Sequence, residues 1–160
     1  MPALRPITDA EFSAWLSQAV PAYAEDKVIS GAWPQEGALE TSLKEHEALL
    51  PKGKDTPNNH LYTILGNSGT QVGVIWFAAE DRGSNPVAYV YNILVWPEYR
   101  RQGHALRAFA ALEEEVLRMG LVGIALHVFG HNAPAQALYA RLGFKPTNFN
   151  LYKPLGGAGA

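Results

Sequence analysis

The sequence predicts an α/β fold, a mixed sheet with helices on both faces, and three observations carry that expectation. Short apolar runs rich in β-branched and aromatic residues, around 61–65, 72–79 and 87–95, read as strands. Between and before such runs lie stretches whose apolar residues recur with a period near 3.6, the mark of helices with one buried face. The resulting order is strand, two helices, three strands, helix, strand, helix, strand. The runs near 87–95 and 121–129 are joined by one helix, so they are expected to be parallel.

The elements follow from local chemistry. Leu4 to Ile7 reads as a first strand. Thr8-Asp-Ala-Glu11 is a capping box, in which each side chain satisfies the other residue's backbone N–H. Phe12, Trp15, Leu16 and Ala19 supply the apolar stripe of the helix that follows. Pro21 is expected to kink or divide it before it stops at Gly31. Pro34 opens a second helix with Leu39, Leu43, His46 and Leu50 on one side and Pro51 as its stop. After a polar loop over 52–59, two antiparallel strands flank Gly66-Asn-Ser-Gly69, and a turn over 80–86 leads to the long strand 87–95. The next helix ends near Met119-Gly120, and 121–129 is expected to be a strand. Asn132 caps a short helix with Pro134 in its first turn and Gly143 at its end. Residues 149–153 read as a last strand, so that 1–155 form one domain and 156–160 a flexible tail.

Composition narrows the function. With 160 residues the chain suits a single domain. No apolar run approaches the ~20 residues of a membrane span, and no signal peptide opens the chain, so no membrane partner is expected and a cytoplasmic location is the default. The absence of cysteine excludes disulfides, thiol nucleophiles and cysteine-ligated zinc. A net charge of −2 argues against general nucleic-acid binding. Residues 9–50 carry a net −6 and the remainder a net +4. A basic part holding a polyanion and an acidic part receiving a cation would look like this, as would ordinary solvated helix faces.

The stretch with most chemistry is Val95-Trp-Pro-Glu-Tyr-Arg-Arg-Gln-Gly-His-Ala105. Pro97 ends strand pairing because it has no N–H, and Ala105, Phe109, Leu112 and Val116 start a helical stripe. Arg100, Arg101, Gln102, Gly103, His104 and Ala105 therefore form the loop and first turn at a helix N-terminus. Free amides and the positive helix end there make a seat for phosphate, and the arginines add charge. Neither a P-loop nor a Gly-x-Gly-x-x-Gly is present.

Arg100-x-x-Gly103-x-Ala105, after Val95-x-Pro97-Glu98-Tyr99, resembles the coenzyme-A signature of the GNAT superfamily, the Gcn5-related N-acetyltransferases. A second block, Leu126-His-Val-x-x-x-Asn132, then Ala135, Leu138-Tyr139 and Leu142-Gly143-Phe144, resembles the family in the expected order. The resemblance implies a GNAT-like sheet whose two central parallel strands splay apart, with the pantetheine arm of acetyl-CoA entering the gap. It also implies an N-acetyltransferase with acetyl-CoA as cosubstrate, moving an acetyl group to a primary amine in a ternary complex. The backbone amides around Leu94 and Val95 would be the oxyanion donors, and Asn132 would hold the pantetheine side or cap its helix.

An alkyl amine is charged at neutral pH, so a base is useful. His127 is the preferred one: it alternates with Leu126 and Val128 along its strand and is largely neutral at pH 7. The resemblance supports it, since a glutamate resembling a base holds this place in some GNAT protein acetyltransferases. Glu80, Tyr91 and water are the alternatives. Tyr139 lies on the stripe of Ala135, Leu138 and Leu142 and so reads as a core aromatic, but the resemblance implies a general acid near the sulfur. His127 and His131 are four apart, yet on strand and loop rather than helix, so no metal site is expected.

The acceptor is expected over the first two helices and the 52–60 loop, where Trp33, Tyr23, Glu25, Asp26 and Glu36, with Tyr91 from the central strand, could form an aromatic and acidic approach. An amine-bearing small molecule and a protein amine both remain open as partner, as does a homodimer. The alternative to an enzyme is a non-catalytic acyl-CoA-binding sensor of the same fold.

Overall fold

The computed structural model describes residues 3–83 and 85–156. Five strands, β1 (Leu4–Pro6), β2 (Asn59–Leu65), β3 (Gln71–Arg82), β4 (Asn85–Val95) and β5 (Ile124–Leu126), form one sheet in sequence order. Every pairing is antiparallel except β4 with β5, which is parallel. The helices are α1 (Asp9–Ile29), α2 (Ala38–Leu49), α3 (His104–Arg118) and α4 (Ala133–Arg141).

Alternation along β3 builds two cores, one on each face. Ile75 and Phe77 point to the side of α3, where they meet Ala108, Phe109, Leu112 and Val116. Val74 and Trp76 point the other way, to Trp15 and Ala19 of α1 and to Leu50. Each large side chain so buried contributes ~1.5–3 kcal/mol of transfer free energy. Trp15, fully buried, also donates its Nε1–H to Asn92 Oδ1 at 3.0 Å, which ties α1 to β4.

The capping box at Thr8 is present in both directions. Its Glu11 also pairs with Arg5 through two bonds of 3.1 and 2.8 Å and accepts from Thr63 Oγ1 at 3.0 Å. The Arg5 guanidinium, foremost, holds the Glu11 carboxyl down at about 2.

Five expectations need correction. Pro21 does not divide α1, which runs unbroken from Asp9 to Ile29. The donor it lacks would have served the Ser17 carbonyl on the exposed side, where water can take its place. Pro34 does not open α2, whose N-cap is Gly37 with φ 79°. The buried face of α2 is Ala38, Ser42 and His46, while Leu39 and Leu43 are exposed. Ser42 Oγ donates to the Val20 carbonyl at 2.8 Å, a contact that small side chains permit and leucines would prevent. Finally, the expected strand over 121–129 shrinks to three residues, and 149–153 forms none. Pro146 and Pro154 bracket that last segment, and Phe149, Leu151 and Tyr152 lie exposed with no strand beside them among the described residues. Of the tail 156–160, all but Gly156 lies outside the described residues.

Two irregularities aim the sheet at the site. Pairing with β5 stops at Val90–Leu126, so Tyr91 to Val95 have no strand partner on that side among the described residues. A bulge opposite Trp76 and Phe77 leaves Tyr91 as the extra residue of β4.

Candidate active site

Where β4 and β5 part, the sheet opens into a cleft of about 420 Å³. Its walls come from α1, α2, β4, the segment after β5 and α4. Such an opening between parallel strands is a common place for a small-molecule site.

One end of the opening is the strand-to-helix turn. Pro97–Tyr99 form a single 3₁₀ turn, Arg101 adopts φ 62°, and Gly103 is the N-cap of α3 with φ 81°. Glycine adopts that left-handed backbone without strain, and it brings no side chain to cap the helix. The first intrahelical bond runs from the Arg107 amide to the Gly103 carbonyl, so the amides of His104 and Ala105 are left for an outside acceptor. The cradle fits a phosphate group. Arg100 Nε donates to the Val95 carbonyl at 2.9 Å and Gln102 Nε2 to the Glu98 carbonyl at 3.3 Å, which brace the loop from outside. The His104 ring turns inward, is buried, and contacts Arg107 Nη2 at 2.5 Å, so this residue faces the turn with its amide only.

The end of β4 follows the same economy. The Trp96 amide bonds the Val72 carbonyl, and a Cβ on Gly73 would run into the Leu94 carbonyl oxygen. Leu94 and Trp96 therefore present their polar backbone atoms to β3. By alternation Ile93 and Val95 present theirs to the opening, consistent with the reach of Arg100 to the Val95 carbonyl. Of Leu94 and Val95, only Val95 turns its amide to the edge of β4 that β5 leaves unpaired.

His127 and Tyr139 both line the cleft. His127 follows β5 directly, with its ring edge-on to Phe129 at 4.9 Å. Partial burial, and secondly the nearby Lys27 charge, lower its pKa, which keeps the imidazole neutral. The Tyr139 ring is wedged edge-on between Phe109 at 5.9 Å and Phe144 at 5.6 Å, and burial raises its pKa. Its hydroxyl bonds to none of the described residues, so the cleft is lined by a ring held in place whose O–H is uncommitted among them. Asn132 also lines it, with Oδ1 accepting from the Ala135 amide at 3.2 Å as the cap of α4.

The other two bases look different. Tyr91 lines the cleft and stacks on Trp76 at 4.7 Å, but its O–H donates to Glu80 Oε2 at 2.5 Å. Burial first, then that bond, push the phenol up to about 12. Glu80 also holds Arg82 at 3.1 Å, and it lies outside the cleft wall. The pair thus anchors a wall side chain.

On the acceptor side the structure brings together Tyr23, Asp26 and Trp33, but not Glu25 and Glu36, which are exposed elsewhere, nor the 52–60 loop, which contributes no residue to the cleft wall. Trp33 meets Tyr23 edge-on at 5.6 Å and so backs the wall from behind. His131, rather than joining His127, donates to Asp26 Oδ1 at 2.9 Å. Among the wall residues that the sequence did not mark as functional are Lys27, Glu45, His46 and Asn92. Lys27 had a usable signal, since it follows Tyr23 by one helical turn and so shares its face. Asn92 had none, because only the bulge turns it toward α1.

Comparison with known proteins agrees with this geometry. The family model described as "Acetyltransferase (GNAT) family" matches residues 15–144. The "Uncharacterized N-acetyltransferase YycN" of Bacillus subtilis is 36% identical over 152 residues, covering 95% of this chain and 97% of its own. Another from the same organism, YdgE, is 31% identical with the same coverage. The crystal structure of YycN superposes with a TM-score of 0.90 over 96% of this chain and 98% of that one. An aminoglycoside 6'-N-acetyltransferase from Acinetobacter baumannii, 21% identical over 96% of this chain and 98% of that one with a TM-score of 0.61, shares the fold. On the matched family model, these identities and the splayed sheet, the chain belongs to the acetyltransferase (GNAT) family of N-acetyltransferases.

Proposed function

We propose that this protein transfers the acetyl group of acetyl-CoA to a primary amine by direct attack in a ternary complex. The observation that carries the proposal is a neutral imidazole and an unpartnered phenol in one cleft, beside an unpaired strand edge. The donor's pyrophosphate would lie on the amides of His104 and Ala105, beside Arg100, Arg101 and Gln102, and its pantetheine arm would run along the free edge of β4 toward Asn132.

His127, directly or through a water, takes a proton from the acceptor ammonium. Freeing that lone pair at pH 7 costs about 4.6 kcal/mol for an amine with an ordinary pKa, so a neutral acceptor group nearby is worth having. The amine nitrogen attacks the thioester carbon, and the Val95 amide, with that of Ile93, receives the developing oxyanion. As the C–S bond breaks, Tyr139 donates to the departing sulfur, and the second proton of the amine restores the phenol through solvent. Even an ordinary phenol is roughly 2 kcal/mol too weak an acid to protonate a thiolate outright, and burial of Tyr139 widens that gap. A hydrogen bond that becomes a transfer only late is therefore the role assigned to it. Tyr91 and Glu80 shape the wall.

The test is acetyl-CoA-dependent release of free thiol with a panel of amines and lysine peptides. Release that needs an amine, and that falls in both Tyr139→Phe and His127→Ala, supports the reading. Turnover unchanged in both variants removes these catalytic roles.

A further inference from the structure

Lys27 occupies an unusual position in the cleft wall. Its Nζ lies 5.4 Å from the centroid of the Tyr23 ring and 5.5 Å from that of Trp33. Cation–π contacts hold an ammonium in place but leave its N–H donors on the open side unspent. No carboxylate among the described residues lies within ion-pair distance of it, although Lys27 is half-buried and lines the cleft. The two acids in the wall are differently placed. Asp26 is engaged by His131, and Glu45 stands beside the Tyr23 hydroxyl, which burial and then this charge push up to about 12.

The aromatic pair that could have received a cationic acceptor is thus already filled by the protein's own cation. A polycationic amine would meet like charge there. An acceptor with an amine at one end and an anion at the other would meet complementary charge at both. Lys27 also stands close enough to His127 to act on it by charge, so the anion would sit near the point where the amine must arrive.

Building on the transferase reading above, we propose that the acceptor is a small amine that carries a carboxylate, of amino-acid type, and that Lys27 binds this carboxylate. Lys27 is a specificity residue: its ammonium orients the acceptor so that the nitrogen points toward His127.

The experiment compares matched acceptors that differ only by the carboxylate: lysine with pentane-1,5-diamine, ornithine with butane-1,4-diamine, and 4-aminobutyrate with propylamine, together with lysine peptides blocked at both termini. The expected result is kcat/KM higher by about three- to fivefold for the carboxylate-bearing member, expressed in KM, as for one partly exposed charge pair. Lys27→Met should bring that ratio near one, Lys27→Glu should invert it, and Lys27→Arg should restore most of it. A purely structural lysine would change turnover of both members alike. Equal efficiency within every pair, preference for the diamines or blocked peptides, or a ratio unmoved by Lys27→Met overturns the assignment while leaving the transferase standing. Thiol release with no amine at all overturns the transferase, and the assignment with it.

Discussion

The two ends of the cleft are built on opposite principles. At the proposed coenzyme end, from Val95 to Ala105, the groups assigned to binding are main-chain amides, and the nearby side chains brace the loop: Arg100 holds a carbonyl, Gln102 another, and His104 is buried. At the proposed acceptor end the groups assigned are side chains that line the cleft, Lys27 from α1, His127 from the segment after β5 and Tyr139 from α4. A backbone site tolerates side-chain change as long as its φ angles survive. A side-chain site keeps its scaffold when it loses its function. Substitutions should therefore have contrasting consequences at the two ends.

The sharpest break is expected at the acceptor end. Tyr139→Phe should lower kcat by about 10²–10³-fold with little change in the affinity for acetyl-CoA, because only the O–H is lost and the ring stays between Phe109 and Phe144. Initial rates and calorimetric binding of coenzyme A would check both halves. At the coenzyme end Gly103→Val should weaken coenzyme A binding by roughly 10–100-fold, since a β-branched residue is strained at φ 81° and would cover the amides. Arg101→Ala should weaken it by less than tenfold, within the worth of one exposed charge pair. If Arg101→Ala proves the more damaging of the two, the backbone account of this end is wrong.

The pH dependence separates the ends further. The lowered pKa of His127 means that the base stays unprotonated below the usual 6.5, so the acid limb of kcat/KM should lie under pH 6.5 and vanish in His127→Ala. Coenzyme A binding should show no such limb.

A control lies outside both ends. Glu11→Gln should cost about 2 kcal/mol of stability, moderated because Arg5 is about one-third exposed, with the activity of the folded protein unaltered. The folded Glu11 titrates near 2, below its ordinary 4.5. Its contribution is therefore present in full above about pH 4.5 and lost as pH falls toward 2. Thermal melts across that window should show the slope in the parent protein and a shallower one in the variant.

The contrast also explains what could be read in advance. The capping box at Thr8, the turn at 97–103 and the asparagine cap at 132 are written in contiguous residues, because backbone geometry over a few positions depends on few side chains. The parallel pairing of β4 with β5 followed from a single intervening helix. The exposed leucines of α2 went against their own periodicity, because close approach to α1 selects small residues for the seam, and nothing local to α2 announces that neighbour.

By itself the sequence determined the mixed sheet, the glycine-capped turn at the start of α3 and the family, each through short patterns whose physics is local. The tertiary structure alone decided that the bulge at Tyr91 hands its hydroxyl to Glu80, that His131 turns to Asp26, and that Lys27 fills the aromatic corner beside His127. Those groups are separated by up to 105 residues along the chain, as Asp26 and His131 are, and meet only because two cores packed on opposite faces of one sheet bring them to its opening. Charge complementarity acts over a few ångströms, so it is settled by which elements pack together and not by the order in which they are joined.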